Sequence, residues 1–184
     1  MIPHSLQTHF QNAWAQIEAA VTNATHPYRT TCLATVDSAG RPENRMVVIR
    51  GASHQHRRLT VYSDGAALKC RAIESVPTAA FCFWDAKSRT QVRMIGAVRL
   101  VKGEALNLDW NTQGPSQKDL YRIAPKPGTV IPNANAYDFG SQTRFTRFDC
   151  SVQSVDILSL SKPNHTRLHA KWSQDQWLLN WVTP

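Results

Sequence analysis

The feature that most limits the fold is a series of short strand-like segments, each closed by turn-forming residues. Thr30–Val36 is rich in β-branched residues, and the turn formers Asp37–Gly40 follow it directly. Arg45–Arg50 is then the predicted returning strand. The same criteria predict further strands at Arg58–Ser63, Thr78–Trp84, Thr90–Val101, Asp149–Leu160, Arg167–Ser173 and Trp177–Val182. This order predicts an antiparallel meander, and its closure into a barrel would remove exposed strand edges.

Helical segments are predicted at the start of the chain and between the strands. From Leu6 to about Val21, apolar residues recur at three- and four-residue steps, which indicates an amphipathic helix ended by turn formers at Asn23–Pro27. Shorter helices are predicted at Gly65–Ser75, Glu104–Trp110 and Gln117–Ile123. Gly96, inside a predicted strand, indicates a bulge or a close backbone approach. The predicted fold class is therefore mainly β (α+β), an antiparallel barrel with an N-terminal helix and short peripheral helices.

The length of 184 residues predicts a single domain over 1–184, with an N-terminal helix and linker at 1–27 and the barrel at 28–184. No apolar run approaches the length of a membrane span, and the N-terminal residues lack the pattern of a signal peptide. A cytoplasmic location is the expectation. The four cysteines include no CxxC pair and are predicted to be buried free thiols.

The formal net charge of +8 allows either a nucleic acid or an anionic small ligand as partner. Basic residues are spread along the chain, and the densest local cluster is His54–Arg58. No nucleic-acid-binding motif accompanies them, but a positive surface suits a phosphate ester equally, and charge alone does not choose between this ligand and a basic nucleic-acid-binding barrel. The histidine pairs His54/His56 and His165/His169 lack a matching carboxylate or thiolate, so no metal site is predicted.

Three polar residues at the ends of predicted elements are candidates for a phosphate site. Arg45 opens one strand, Ser63 closes the next, and Lys69 lies on the helix that follows. A guanidinium, a hydroxyl and an ammonium could converge on one phosphate, with help from the first amides of that helix. Taken singly, each residue could equally be a strand-end charge, a turn residue or a solvated helix position.

Five motifs, in order along residues 30–184, resemble those of the pyridoxamine 5'-phosphate oxidase family. Arg45–Arg50 is similar to the family's Arg-x-Val-Leu-Leu-Lys strand, and Val61–Asp64 to its Phe-Tyr-Thr-Asn strand end. Pro77–Trp84 and Thr90–Gly96 resemble the two strands that follow in the family. Arg167–Lys171 resembles its Arg-Leu-His-Asp-Arg segment. The chain is thus similar to the FMN-binding oxidase-like subgroup of that family.

The resemblance implies an FMN-binding split β-barrel that works as a homodimer, with the cofactor in the cleft between subunits. It implies that Arg45, Ser63 and Lys69 hold the FMN phosphate. Gln91 is expected to hydrogen-bond the flavin, and Lys171 of the second subunit to lie near its ring. The remaining expected contacts of the isoalloxazine are the main chain of Met46, Val47 and Val48, and Tyr62.

The same resemblance implies the substrate side of the site. Arg167 and His169 are expected to orient the substrate, and Arg50 and Lys118 to reach its phosphate. The implied reaction is hydride transfer from a small substrate to flavin N5, with reoxidation by oxygen, as in pyridoxamine or pyridoxine 5'-phosphate oxidation. Two further family phosphate positions fall on Trp110 and Gly114, which cannot bind phosphate as a Tyr and an Arg do. An FMN carrier or sensor, or an NAD(P)H-dependent flavin reductase, is therefore the alternative.

Overall fold

A computed structural model describes residues 4–184, so the first three residues of the predicted domain and N-terminal segment lie outside it. The helices are α1 (His4–Ala20), α2 (Leu68–Ser75), α3 (Asn107–Asn111) and α4 (Pro115–Asp119), with a 3-10 turn at Gly103–Leu106. The strands are β1 (Thr30–Val36), β2 (Pro42–Ser53), β3 (Arg58–Asp64), β4 (Thr78–Asp85), β5 (Thr90–Val101), β6 (Ile123–Ala124), β7 (Asp138–Phe139), β8 (Phe145–Ser159), β9 (Thr166–Ser173) and β10 (Gln176–Val182). Among residues 4–184, no helix is both long and apolar enough to cross a membrane.

Six of the strands close into an antiparallel barrel. They follow the order β8-β3-β2-β1-β4-β5, and pairing of β5 with β8 closes the circle. The strands β9 and β10 extend the sheet from β8 outside the barrel, while β6 and β7 form a separate two-stranded ribbon. The predicted mainly-β barrel with short helices is confirmed.

Side chains along the barrel strands alternate between the interior and the outer face, as a strand period of two requires. On β1, Leu33 is fully buried, whereas its neighbours Cys32 and Ala34 are only half-buried. Leu33 lies opposite Phe81 of β4, which is also buried. The outer face therefore carries a second, independent set of side chains, and this set includes much of the predicted site.

The strand β8 has three neighbouring strands because one of its edges changes partner along its length. One edge pairs with β5 over most of its length, while the other pairs first with β3 (Phe145–Ser151) and then with β9 (Ser154–Ser159). At the point of change the register with β5 shifts by one residue, between Ile95 and Gly96. A Cβ at Gly96 would lie 2.2 Å from the Ser151 carbonyl oxygen, so only glycine fits there. The prediction of a bulge or close approach at Gly96 is confirmed.

Helix α1 covers part of the barrel with its apolar face. Phe10, Trp14 and Ile17 are fully buried, which confirms the predicted amphipathic helix. Arg29 fastens the end of this helix, since its Nη1 donates to the carbonyls of Ala20, Val21 and Ile49. The Ala20 and Val21 carbonyls lie at the C-terminal end of the helix, where carbonyls lack intrahelical partners, whereas the Ile49 carbonyl belongs to β2.

Several sequence-based expectations differ from the structure. Strand β2 runs from Pro42 to Ser53 rather than from Arg45 to Arg50, because its first residues pair with β1 and its last residues with β3. The predicted helix at Gln117–Ile123 is instead α4, which begins at Pro115 because proline fits the first helical position, and Ile123 lies in β6. Strand β8 begins at Phe145, four residues earlier than predicted, because those residues pair with β3. All four cysteines are free, but Cys32 and Cys82 are only half-buried because both lie on the outer face of the barrel.

Candidate functional site

Arg45 and Lys69 line the same recess at one end of the barrel. The recess has a volume of about 240 Å³ and is completed by Pro127 and Gly128 of the long loop. Arg45 lies opposite the buried Leu33 in the β1–β2 register, so its side chain starts on the inward face at the strand end. Two of the three predicted phosphate-binding residues are therefore brought together.

The guanidinium of Arg45 is held by several acceptors. Its Nη1 donates to Thr35 Oγ1 at 2.7 Å and to the carbonyls of Leu33 and Glu43, each at 3.3 Å. Its Nη2 donates to Glu43 Oε2 at 2.9 Å, and Glu43 also lines the recess. A phosphate bound here would share Arg45 with this carboxylate.

The ammonium of Lys69 is without a carboxylate within 4.0 Å among residues 4–184. Burial lowers the pKa of Lys69, and the nearby Arg45 guanidinium lowers it further. Lys69 lies in the first turn of α2, whose N-cap residue Ala67 offers no side-chain acceptor or donor. The first amides of a helix lack intrahelical partners and attract anions. The recess thus has the chemistry of a phosphate site.

Ser63, the third predicted phosphate residue, lies beside α2 but does not line the recess. Its side chain is buried, its hydroxyl donates to the Asp64 carbonyl at 3.0 Å, and the Cys70 thiol lies 3.6 Å away. Ser63 is not among the residues that line the recess. Its hydroxyl therefore bonds within the protein, beside α2.

Most of the predicted flavin and substrate residues lie on the outer face of the sheet. Val47 is the exception, because it is buried on the inward side of β2. Directly opposed residues form a row across six strands: Met46, Cys32, Cys82, Arg93, Asp156 and His169. A neighbouring row consists of Trp84, Gln91, Leu158 and Arg167. Lys171 lies on the same face of β9, opposite Ser154.

Asp156 holds two arginines on this outer face. Arg167 Nε lies 3.0 Å from Asp156 Oδ2, and Arg93 Nη2 lies 3.2 Å from the same oxygen. His169 is the residue directly opposite Asp156 on β9. Asp156 was not among the predicted site residues; its position as a charge amid the apolar residues Val155, Ile157 and Leu158 was the available signal.

Arg50 and Tyr62 meet on the outside of the barrel beside α3. Arg50 lies at a register shift of β2, since Ile49 pairs with Val61 and Gly51 with Thr60. Its guanidinium carbon is 5.8 Å from the centre of the Tyr62 ring. The Tyr62 hydroxyl donates to Asp109 of α3 at 3.0 Å. Burial and this hydrogen bond raise the pKa of Tyr62 to about 12.

Lys118 lies beside an aromatic cluster formed by Tyr62, Trp110, Tyr121 and Phe145. Its ammonium lies 5.3 Å from the centre of the Trp110 ring, and that ring packs 5.4 Å from Phe145. Phe145 in turn contacts Tyr62 at a ring-centre distance of 4.8 Å. Lys118 is not paired with any carboxylate within 4.0 Å in the part of the chain that the structure describes, and the same holds for Arg50. The structure therefore brings Arg50 and Lys118 to one aromatic cluster, in which Arg50 lies by the Tyr62 ring and Lys118 by the Trp110 ring.

Comparison with known proteins identifies the family. The model of the family described as "Pyridoxamine 5'-phosphate oxidase, FMN-binding domain" matches residues 11–102, half of the chain. The chain therefore belongs to the pyridoxamine 5'-phosphate oxidase FMN-binding family, and its cofactor is FMN. The family predicted from the motifs, and the cofactor, are confirmed.

Among curated relatives, the pyridoxine/pyridoxamine 5'-phosphate oxidase of Hyphomonas neptunium is 34% identical over 89 residues, 48% of this chain. The match covers 38% of that relative's own length. The pyridoxine/pyridoxamine 5'-phosphate oxidase 2 of Arabidopsis thaliana is 24% identical over 152 residues, covering 77% of this chain and 74% of that protein. The first match thus spans less than half of either protein.

Two solved structures share the fold. One is a pyridoxamine 5'-phosphate oxidase-related, FMN-binding protein from Nostoc punctiforme, with a TM-score of 0.79, 23% identity and coverage of 95% of this chain and 97% of that one. The other is PhzG from Burkholderia lata in complex with tetrahydrophenazine-1-carboxylic acid, with a TM-score of 0.76, 15% identity and coverage of 100% and 95%. At these identities the likeness concerns the fold alone, and it confirms the split barrel.

Proposed function

We propose that the chain is an FMN-dependent oxidoreductase that removes hydride from a small, anionic substrate. The observation that carries this proposal is the recess in which Arg45 and the unpaired Lys69 meet at the start of α2. Bound FMN supplies hydride acceptance at N5 and the return of electrons to oxygen. In a family that binds FMN, this recess supplies the positive charge that the cofactor's phosphate requires.

On the flavin side, Lys69 would hold the phosphate as a point charge and Arg45 would share it with Glu43. The main chain of Met46, Val47 and Val48 would pass beside the ring. Gln91 would donate a hydrogen bond to the ring from the outer face of β5. Ser63 would support this site indirectly, because its buried hydroxyl lies against Cys70 of α2.

On the substrate side, Arg50 and Lys118 would attract an anionic group to the aromatic cluster. Arg167, oriented by Asp156, and His169 would bind the substrate over the ring and exclude unproductive orientations. His169 is also suited to carry a proton released from the substrate. The catalytic roles of Arg167 and His169 are therefore positioning and proton transfer.

A homodimer is part of this proposal, because the family resemblance implies a cofactor in the cleft between two subunits. Within one chain, five strand-to-strand steps lead from Met46 on β2 to His169 on β9 along the row of opposed residues. Two copies could combine the flavin half of one chain with Arg167, His169 and Lys171 of the other.

The activity is tested by mixing the FMN-loaded protein anaerobically with pyridoxine 5'-phosphate, pyridoxamine 5'-phosphate or NADPH and following the flavin absorbance. Bleaching by either phosphate, followed by recovery in air, is the expected result. Bleaching by NADPH alone would replace the oxidase proposal by a flavin reductase. No bleaching by any donor would contradict the enzyme proposal.

A carrier or sensor of FMN without turnover is the second candidate. It is favoured by the chemistry around Lys118, where Trp110 packs in the aromatic cluster and Gly114 offers no side chain. Only Arg50 and Lys118 would then remain to bind a substrate phosphate, which is weaker binding than the family pattern provides. Light scattering of the FMN-loaded protein tests the homodimer independently of its function. A monomer with bound FMN would contradict the site shared between subunits, and it would leave both the oxidoreductase and the carrier proposals open.

A further inference from the structure

The fork at which β3 and β9 part from β8 opens a groove on the outer face of the protein. Its volume is about 740 Å³. Strand β3 pairs with β8 up to Ser151 and β9 pairs from Ser154, so this edge of β8 changes partner at Val152 and Gln153. The groove, called the fork groove below, is lined by Arg57, Ile95, Ser151, Gln153, Ser154, His169, Lys171 and Trp172.

Arg57 is held firmly at the rim of the fork groove. Its carbonyl accepts from the Val152 amide at 2.7 Å, and its own amide donates to the His54 carbonyl at 3.1 Å. Its guanidinium carbon lies 4.0 Å from the centre of the Trp172 ring, and Nη1 donates to the Val152 carbonyl at 3.2 Å. With a φ of 49°, Arg57 also adopts a backbone conformation that is costly for a non-glycine residue.

The charges that line the fork groove are all positive. Arg57, Lys171 and His169 line it without a single carboxylate. Throughout residues 4–184, none of the three has a carboxylate within 4.0 Å. The Nε and Nη2 donors of Arg57 have no acceptor in the same described part of the chain. Such donors are satisfied by water or by an anion.

We propose that the fork groove is an oxyanion-binding site in which Arg57, together with Lys171, binds the phosphate or carboxylate of a small ligand. The contact with the Trp172 ring and the bond to the Val152 carbonyl already restrict the guanidinium, so less rotational freedom is lost when it binds two oxygens side by side. Arg57 comes from the basic cluster His54–Arg58, for which the FMN motifs provide no role.

This inference rests in part on the proposed function, because His169 and Lys171 belong to both the fork groove and the proposed substrate half. It adds Arg57 as a residue that selects substrates with an anionic group. A neutral analogue of the same shape would leave Arg57 and Lys171 without a counter-charge.

The test compares Arg57→Gln with Arg58→Gln by titration calorimetry of the FMN-loaded protein. Arg58 is the adjacent residue, is exposed and does not line the groove, so its variant loses the same charge. The probes are pyridoxine 5'-phosphate, nicotinate as a carboxylate, and neutral pyridoxine. We expect R57Q to bind whichever of the two anions the wild-type protein binds more tightly about tenfold more weakly, because a charge-assisted hydrogen bond is lost. The dissociation constant of R58Q for that anion should stay within about twofold of wild type.

Equal affinities of R57Q and R58Q for both anions would overturn the proposal, as would a wild-type affinity for pyridoxine equal to that for its phosphate. A lower FMN affinity in R57Q with unchanged anion binding would also overturn it. If R57Q fails to fold, Lys171→Gln replaces it, and the same weakening is expected. If the protein binds anions more tightly than neutral pyridoxine but its flavin is not reduced, the oxidoreductase proposal fails and the anion site in the fork groove stands. If the flavin is reduced but anions are not preferred, the anion site fails and the oxidoreductase proposal stands.

Discussion

The hydroxyl of Tyr62 on β3 donates a 3.0 Å hydrogen bond to Asp109 on α3, and Arg147 of β8 contacts the other carboxylate oxygen at 2.5 Å. These two bonds join the barrel wall to the short helix that carries Trp110. Because Arg50 lies over the ring of Tyr62, the position of the proposed substrate cations depends on the same contact.

Replacing Tyr62 by Phe tests this contact through its pH dependence. The pKa of Tyr62 is raised from 10.0 to about 12, so between these values the unfolded chain loses a proton that the folded protein keeps. Tyr62 therefore contributes stability below pH 10 that is lost as pH rises towards 12. We expect Y62F to be about 1 kcal/mol less stable at neutral pH and to lose less stability above pH 10. Urea unfolding at several pH values measures both effects, with Tyr137→Phe at an exposed position as control.

Gly96→Ala should destabilise the fork of β8. Its new methyl group would lie 2.2 Å from the Ser151 carbonyl oxygen and 2.8 Å from Cys150 Sγ, so the backbone must shift. We expect a loss of about 3 kcal/mol or more in urea unfolding. Gly114→Ala is the matched control, because nothing lies within 4 Å of a Cβ at that position. Equal losses in both variants would refute the close-approach argument.

Arg29→Met should loosen the end of α1. The change removes the donor shared by the carbonyls of Ala20, Val21 and Ile49, and it leaves an unbranched apolar side chain at position 29. A loss of about 2 kcal/mol in the free energy of unfolding is expected. Arg58→Met, at an exposed arginine, should change it by less than about 0.5 kcal/mol. Faster amide exchange at the end of α1 would locate the effect.

Lys69→Gln should weaken FMN binding by roughly tenfold, because an unpaired ammonium is lost from the recess. Titration of the protein freed of FMN, followed by quenching of flavin fluorescence, gives the dissociation constant. Lys87→Gln, an exposed lysine in the β4–β5 turn, removes the same charge elsewhere. Full FMN affinity in K69Q would place the phosphate outside the recess.

Local patterns predicted most barrel strands because turn formers mark many of their ends. Residues 30–36 and 90–101 form strands within the predicted limits. The first four residues of β8 were missed because Thr146 and Arg147 owe their strand conformation to pairing with β3, more than 80 residues away in the chain. The helix α4 was misplaced because the pattern after Gly114 is too short to show a helical period.

The sequence predicted which residues belong to the candidate site but not how they are arranged in space. Motif spacing found Arg45 and Lys69, but the recess between them is completed by Pro127 and Gly128, far along the chain. The partners Asp109 and Asp156 were missed because each contacts a residue of another element, 47 and 11 positions away in the chain. Only the fold brings these residues together.

The double role of β8 has a consequence for the order in which the chain can fold. The barrel gains its last wall only when residues 145–159 pair with β3 and β5, so a growing chain that ends before Phe145 has two open strand edges. Closure joins residues as far apart as Arg58 and Ser151, and such distant pairings form slowly because a long loop must first be ordered. During synthesis, Arg45 and Lys69 leave the ribosome well before the strand that closes the barrel around them, and the open edges of β3 and β5 need protection from pairing with other chains until then.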